Sequence, residues 1–240
     1  MRDVTARAAL FALALAAAAS AAAQEPALST ELEQSLGRLT RAPAVPQTLR
    51  DVVREASRER LIVRRIRGDD IVIDIDDREA EGLSAFLNGR FVGFSYAGYE
   101  FFGYTLIDRA AAGEAALLDT GDRPVFSSDG RYFASAVITE NGYGDPEGVT
   151  VWEVLPDRTA RRFYTDALPR GIDWRVDGWP RDDCVAISAI EYGWEPPAGL
   201  GPEEAMSRAP RMQFEIVLDD AGAALTRSVA STVCGVSPSE

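Results

Sequence analysis

The sequence predicts an all-β fold, an antiparallel meander of three to four sheets that follows a helical N-terminal segment. Three observations predict it. Short apolar runs recur from Leu61 onward with Gly, Asp, Asn and Pro between them, the spacing of strands and turns. Several of these runs alternate apolar and polar residues, which puts successive side chains on opposite faces of a sheet. A loose internal repeat of turn, apolar strand, variable loop, aromatic-bearing strand, acidic turn and strand begins at Asn88, Ser128 and Asp182; such repetition decides architecture before any motif does.

The N-terminus has its own logic. Arg2 and Arg7 precede an Ala/Leu run from Ala8 to Ala19, and Ala21-Ala22-Ala23 follows before the polar Gln24-Glu25-Pro26. This is the order of a cleavable secretory signal, so residues 1–23 are expected to be removed and the chain to work in the periplasm or as a secreted protein. The run is shorter than the roughly 20 apolar residues a bilayer span needs, and no second such stretch follows, so no membrane span is expected.

Residues 24–60 read as helical. Thr30 with Glu33 forms a capping-box pattern ahead of Leu32, Leu36 and Leu39. After the Pro43 and Pro46 breakers, Leu49, Val52, Val53 and Ala56 share one helical face opposite Arg50, Asp51, Arg54, Glu55 and Arg58. Residues 61–240 form the β domain. Leu61–Ile66 and Ile71–Asp76 read as a hairpin around Gly68-Asp69-Asp70, with Ile71, Ile73 and Ile75 facing inward. Asn88-Gly89 is a turn signal, and it introduces strands over Arg90–Tyr96 and Tyr99–Ile107. Further strands are expected at Ala115–Leu118, Tyr132–Ile138, Val149–Val154, Arg161–Thr165, Val185–Ile190, Met212–Leu218 and Leu225–Val229. Glu191–Pro210, rich in Pro, Gly and Glu, interrupts the third repeat as a surface excursion.

Composition narrows the chemistry. The chain carries 38 acidic against 25 basic residues, a formal charge of −13, which repels phosphate backbones, so no nucleic-acid partner is expected. It has no His, and every basic residue is Arg. His-based triads, His-ligated zinc, Schiff-base chemistry and Walker-type phosphate binding each need a residue type that is missing. No cofactor is expected. Paired carboxylates remain open to an enzyme, since glycoside hydrolysis needs only two carboxyls. Asp129, Asp145, Glu147, Asp183 and Glu191 form that pool.

Phe126-Ser127-Ser128-Asp129-Gly130-Arg131-Tyr132-Phe133-Ala134-Ser135, followed after a loop by Val149-Thr150-Val151-Trp152-Glu153-Val154, resembles a blade of TolB-like and WD40-like β-propellers. In those families a Phe-Ser-Pro-Asp-Gly turn precedes an inner strand and an aliphatic-x-Trp-acidic-aliphatic strand follows. Ser128 stands here where the Pro is usual. The resemblance covers residues 126–154 and implies a propeller-like meander of three to four blade-like sheets; it implies no reaction.

The expected function is that of an exported, non-enzymatic binding or scaffold protein, with a carboxylate-dependent, glycosidase-like hydrolase as the alternative. The partner would be a protein, small molecule or carbohydrate. Trp194, in the Pro-rich excursion, and Tyr143 and Asp145, in the acidic loop Glu140–Gly148, are the candidate binding residues, because loop aromatics and acids are free to contact a ligand. Asp74, Asp76 and Asp77 are the nearest thing to a metal site, offering oxygens to a hard cation, but they lack the glycine-centred loop of calcium motifs and read first as charges that keep a strand edge from aggregating. Cys184 and Cys234, the two cysteines of a chain bound for an oxidising compartment, are expected to form a disulfide.

Overall fold

The computed structural model describes residues 43–75, 79–98, 101–138, 147–219, 222–228 and 234–235. The signal segment, the capping-box helix, Tyr143, Asp145, Asp76 and Asp77 lie outside the described residues.

Four antiparallel sheets follow one another along the chain, each an uninterrupted meander. The first contains β1 (Val53–Ala56), β2 (Arg60–Val63) and β3 (Ile71–Asp74). The second contains β4 (Glu79–Phe86), β5 (Phe91–Gly98), β6 (Phe101–Asp108) and β7 (Leu117–Asp119). The third contains β8 (Val125–Phe126), β9 (Tyr132–Val137), β10 (Gly148–Val154) and β11 (Thr159–Thr165). The fourth contains β12 (Gly171–Arg181), β13 (Cys184–Glu191), β14 (Arg211–Asp219) and β15 (Gly222–Arg227). The three repeat starts fall at one topological position, the turn between the first and second strands of a four-stranded sheet.

The helix expected between Thr48 and Arg60 is not formed. A single 3-10 turn, Gln47–Leu49, gives way to β1, and β1 pairs with β2 through Val53↔Val63 and Ala56↔Leu61. Leu49 and Val53 are buried and Val52 and Ala56 pack partly against the same core, so these residues do face inward, with the period of a strand in place of a helix's. A run this short fits either period, and β-branched Val52 and Val53 tip it to strand once Leu61–Val63 offers a ladder.

The sheets pack in chain order through alternating faces. Leu61, Val63, Ile71 and Ile75 of the first sheet region meet Val92, Phe94, Tyr96 and Ile107 of the second. The opposite face of the second sheet, Phe91, Tyr104 and Leu106, meets Phe133 and Trp152 of the third. The third sheet's other face, Tyr132, Ala134, Ala136, Val149 and Val151, meets Trp174, Val185, Ile187, Phe214 and Ile216 of the fourth. The second and third sheets are therefore covered on both sides. All six residues of β9 are buried as a result, which a one-sided sheet would not require.

Two local devices hold these strands in register. In the Ser127–Arg131 turn, Ser127 Oγ donates to Asp129 Oδ1 (2.8 Å) and accepts from the Tyr132 amide (3.0 Å). The Arg131 amide donates to Asp129 Oδ1 (2.9 Å), and Gly130 takes φ 71°, a conformation glycine adopts without steric cost. In the second sheet, Tyr96 lies over Gly103 and Tyr104 over Gly93; a Cβ at either glycine would come within 2.4 Å of a tyrosine oxygen. The rings occupy the space the missing side chains leave, an aromatic-over-glycine pairing that pins register. Burial pushes the Tyr104 phenol above its ordinary pKa.

Candidate functional site

Because the strands alternate in direction, connections of equivalent position share an end of the molecule. The β8–β9 and β12–β13 turns meet at one end, where Ser128 Oγ donates to the Asp182 carboxylate. The ends of β9 and β10 and the start of the β13–β14 connection meet at the other. The described stems of the acidic loop, Ile138 and Glu147, and the start of the Glu191–Pro210 excursion, Tyr192, lie at this second end.

A groove of 470 Å³ lies between the third and fourth sheets at that end, lined by Ile138, Glu147, Gly148, Asp166, Leu168, Pro169, Arg170, Gly171 and Tyr192. Ile138 and Glu147 are the two stems of the acidic loop. Asp166–Arg170 is the β11–β12 connection, tightened by the Ala167 amide on Thr165 Oγ1 (3.2 Å) and the Leu168 amide on the Asp166 carbonyl (2.9 Å). Tyr192 opens the excursion. Gly148, at φ 118°, is required where β10 meets β11, since a Cβ there would stand 2.4 Å from the Thr165 carbonyl oxygen. Tyr164 Oη donates to the Glu147 carbonyl (3.0 Å) and ties that stem to β11.

The excursion is a structured element. It carries helix α1 (Pro202–Arg208), with Pro at its start, Glu203 and Glu204 in its first turn and an Arg208–Glu204 ion pair of 2.6 Å; these charges oppose the helix dipole. Ala205 and Ala209 are buried. Trp194, expected to be exposed, is half-buried, and its amide donates to the Glu191 carbonyl (3.1 Å). The exposed aromatic is its neighbour Tyr192, at 66%. Sequence reasoning missed Tyr192, Ile138 and Leu168. Their only signal was position: each borders a loop, in a chain where most apolar residues sit inside strands.

The carboxylates of the hydrolase pool divide between the two ends. Asp129 and Asp183 lie at the turn end, and Glu147 and Glu191 at the groove end. The six residues of β9 span about 20 Å, well beyond the separation of about 5–10 Å that glycoside hydrolysis uses. Asp129 is committed to its turn. Asp183 accepts from Arg181 Nε at 2.9 Å, and this bond holds its carboxyl below the ordinary range, opposite to what a general acid needs. Beside it a polar groove of 550 Å³ holds Arg131, Arg162 and Arg181 together with Asp182, Asp183 and Asp219. Asp74 is exposed and faces Arg60 at 3.7 Å.

Cys184 and Cys234 form a disulfide with Cα atoms 5.9 Å apart. Both residues are buried, at 0% and 3% exposure. The Cys234 amide donates to Glu215 Oε2 (2.6 Å), and Arg181 donates to the Cys234 carbonyl (3.2 Å). Glu215 and the two sulfurs converge within 4.8 Å of one another, but the bridge occupies both sulfurs.

No protein-family model matches this chain, and no curated protein matches it in sequence. Among the described residues no helix is long and apolar enough to cross a membrane.

Proposed function

We propose that this chain is an exported, non-enzymatic binding or scaffold protein whose propeller-like β domain recognises its partner at the groove end of the third and fourth sheets. The observation that carries this reading is the convergence there of the acidic-loop stems with an exposed Tyr192 and a half-exposed Ile138 (66% and 37%). Exposed aromatics at a loop-lined concavity are the usual anchors of recognition. Four successive meanders packed face to face, and a repeat that restarts at the same turn in three of them, support the propeller-like reading alongside the resemblance of residues 126–154. The tripartite leader and the buried bridge support export, since such bridges persist in oxidising compartments. The acidic surface adds solubility.

Position-specific photo-cross-linking tests the site. A benzophenone side chain placed at position 192 is expected to give discrete adducts in intact cells, and the same group at position 131, on the opposite end, to give none. Adducts from position 131 alone would move the recognition surface to the turn end and overturn this reading.

A further inference from the structure

The groove has a floor and a rim of different chemistry. Ile138, Leu168, Pro169 and Tyr192 supply apolar surface, and Ile138, Pro169 and Tyr192 are exposed. The rim is anionic. Glu147 and Asp166 line it, and exposed Glu191 pairs with the lining residue Gly171 across β12 and β13. Exposed Glu195 follows in the same segment, and Arg170 is the cation among the described lining residues. The whole chain adds its net charge of −13 to this local excess, so the field at the rim attracts cations and slows the approach of anions.

We propose that the occupant is a cationic segment of a partner protein, carrying Lys or Arg next to an aliphatic or aromatic residue. The apolar residue of that segment seats on Leu168, Pro169 and Ile138. The neighbouring cation lies over the Tyr192 ring, whose face attracts it, within reach of Glu147 and Asp166. An acidic segment would meet the like charges of Glu147, Asp166 and Glu191, and a purely polar one would leave the floor wet. The shape suits one short stretch of chain rather than a broad interface, and the recognition is accordingly expected to be weak alone and strongly salt-dependent. This inference rests on the recognition role given above to the groove end.

Fluorescence anisotropy of the full exported chain with three labelled peptides of equal length separates the outcomes. One peptide alternates Lys with Leu and Phe, one replaces Leu and Phe by Ser, and one replaces Lys by Glu. The Lys/Leu/Phe peptide is expected to bind. Tyr192→Ala should weaken it by about tenfold or more, the loss of an interface anchor. Glu147→Gln with Asp166→Asn should weaken it and flatten its salt dependence, and Arg131→Ala should leave it unchanged. Equal or tighter Tyr192-dependent binding of the Glu peptide would overturn the cationic assignment while leaving the groove as the recognition site. Binding of the Lys/Ser peptide as tight as the first, binding insensitive to Tyr192→Ala, or no binding at all would overturn the assignment; insensitivity to Tyr192→Ala would also remove the groove from the recognition role.

Discussion

Asp108→Ala is expected to destabilise the domain by about 3–5 kcal/mol, the range for breaking one side of a buried ion pair. Asp108 is fully buried at the turn end, where its carboxylate accepts from Arg90 Nε (3.0 Å) and Nη2 (2.9 Å). Thr159 Oγ1 (2.9 Å) and the Ala110 amide (3.0 Å) complete its set of donors. Arg90 closes the turn before β5, Asp108 ends β6 and Thr159 opens β11, so one carboxylate clamps the second sheet to the third. Arg90 also donates to the Arg158 carbonyl (3.2 Å). Its side chain is only 17% exposed, and without Asp108 its charge would be held away from water with no carboxylate beside it. Urea unfolding of Asp108→Ala and of the double variant Arg90→Met with Asp108→Leu measures this. The double variant should recover most of the loss, because an apolar pair removes the stranded charge. A single variant that unfolds within about 1 kcal/mol of the parent would show that the pair is an ordinary surface bridge.

Loss of the Cys184–Cys234 bridge is expected to be of similar size. The two residues are 50 apart in sequence, and in the chain-entropy description cross-linking a loop of that length restricts the unfolded chain by about 4 kcal/mol. The bridge joins Cys184, the first residue of β13, to Cys234, so it holds Cys234 against the fourth sheet. Cys184→Ser with Cys234→Ser should lower the urea midpoint, and reduction of the parent should bring its midpoint to the same value. Coincident midpoints for parent, reduced parent and double variant would show that the bridge contributes nothing to the stability of the sheet.

What was legible in the sequence follows from how local each signal is. The hairpin around Gly68–Asp70 could be read because Ile71, Ile73 and Ile75 alternate with Val72 and Asp74, and the structure buries Ile71 and Ile75 and exposes Val72. The ends of the excursion could be read because its Pro/Gly-rich composition stops at the strands that flank it, Cys184–Glu191 and Arg211–Asp219. β12 could not. It contains Gly178 and Pro180, Asp173 takes φ 50°, and its pairing with β13 shifts register three times, which dissolves the alternation a strand is recognised by. β4 hides behind a shift between Glu81 and Ser84 around Gly82, and β8 is two residues long. At the candidate site, composition identified the segments but not the side chains. Trp194 and Tyr192 are two residues apart in one Gly-containing stretch, and which of them faces solvent depends on how the excursion packs, a tertiary outcome with no local signature. Asp108 shows its role no more plainly, since apart from the Ala110 amide its partners, Arg90 and Thr159, lie 18 and 51 positions away.

Export and the Cys184–Cys234 bridge together predict the intact mass of the native protein alkylated without reduction. The expected mass is that of a chain that begins near Gln24 and takes up no alkylating reagent until a reductant is added. A chain that retains Met1 to Ala23 and carries two alkylated thiols would contradict it.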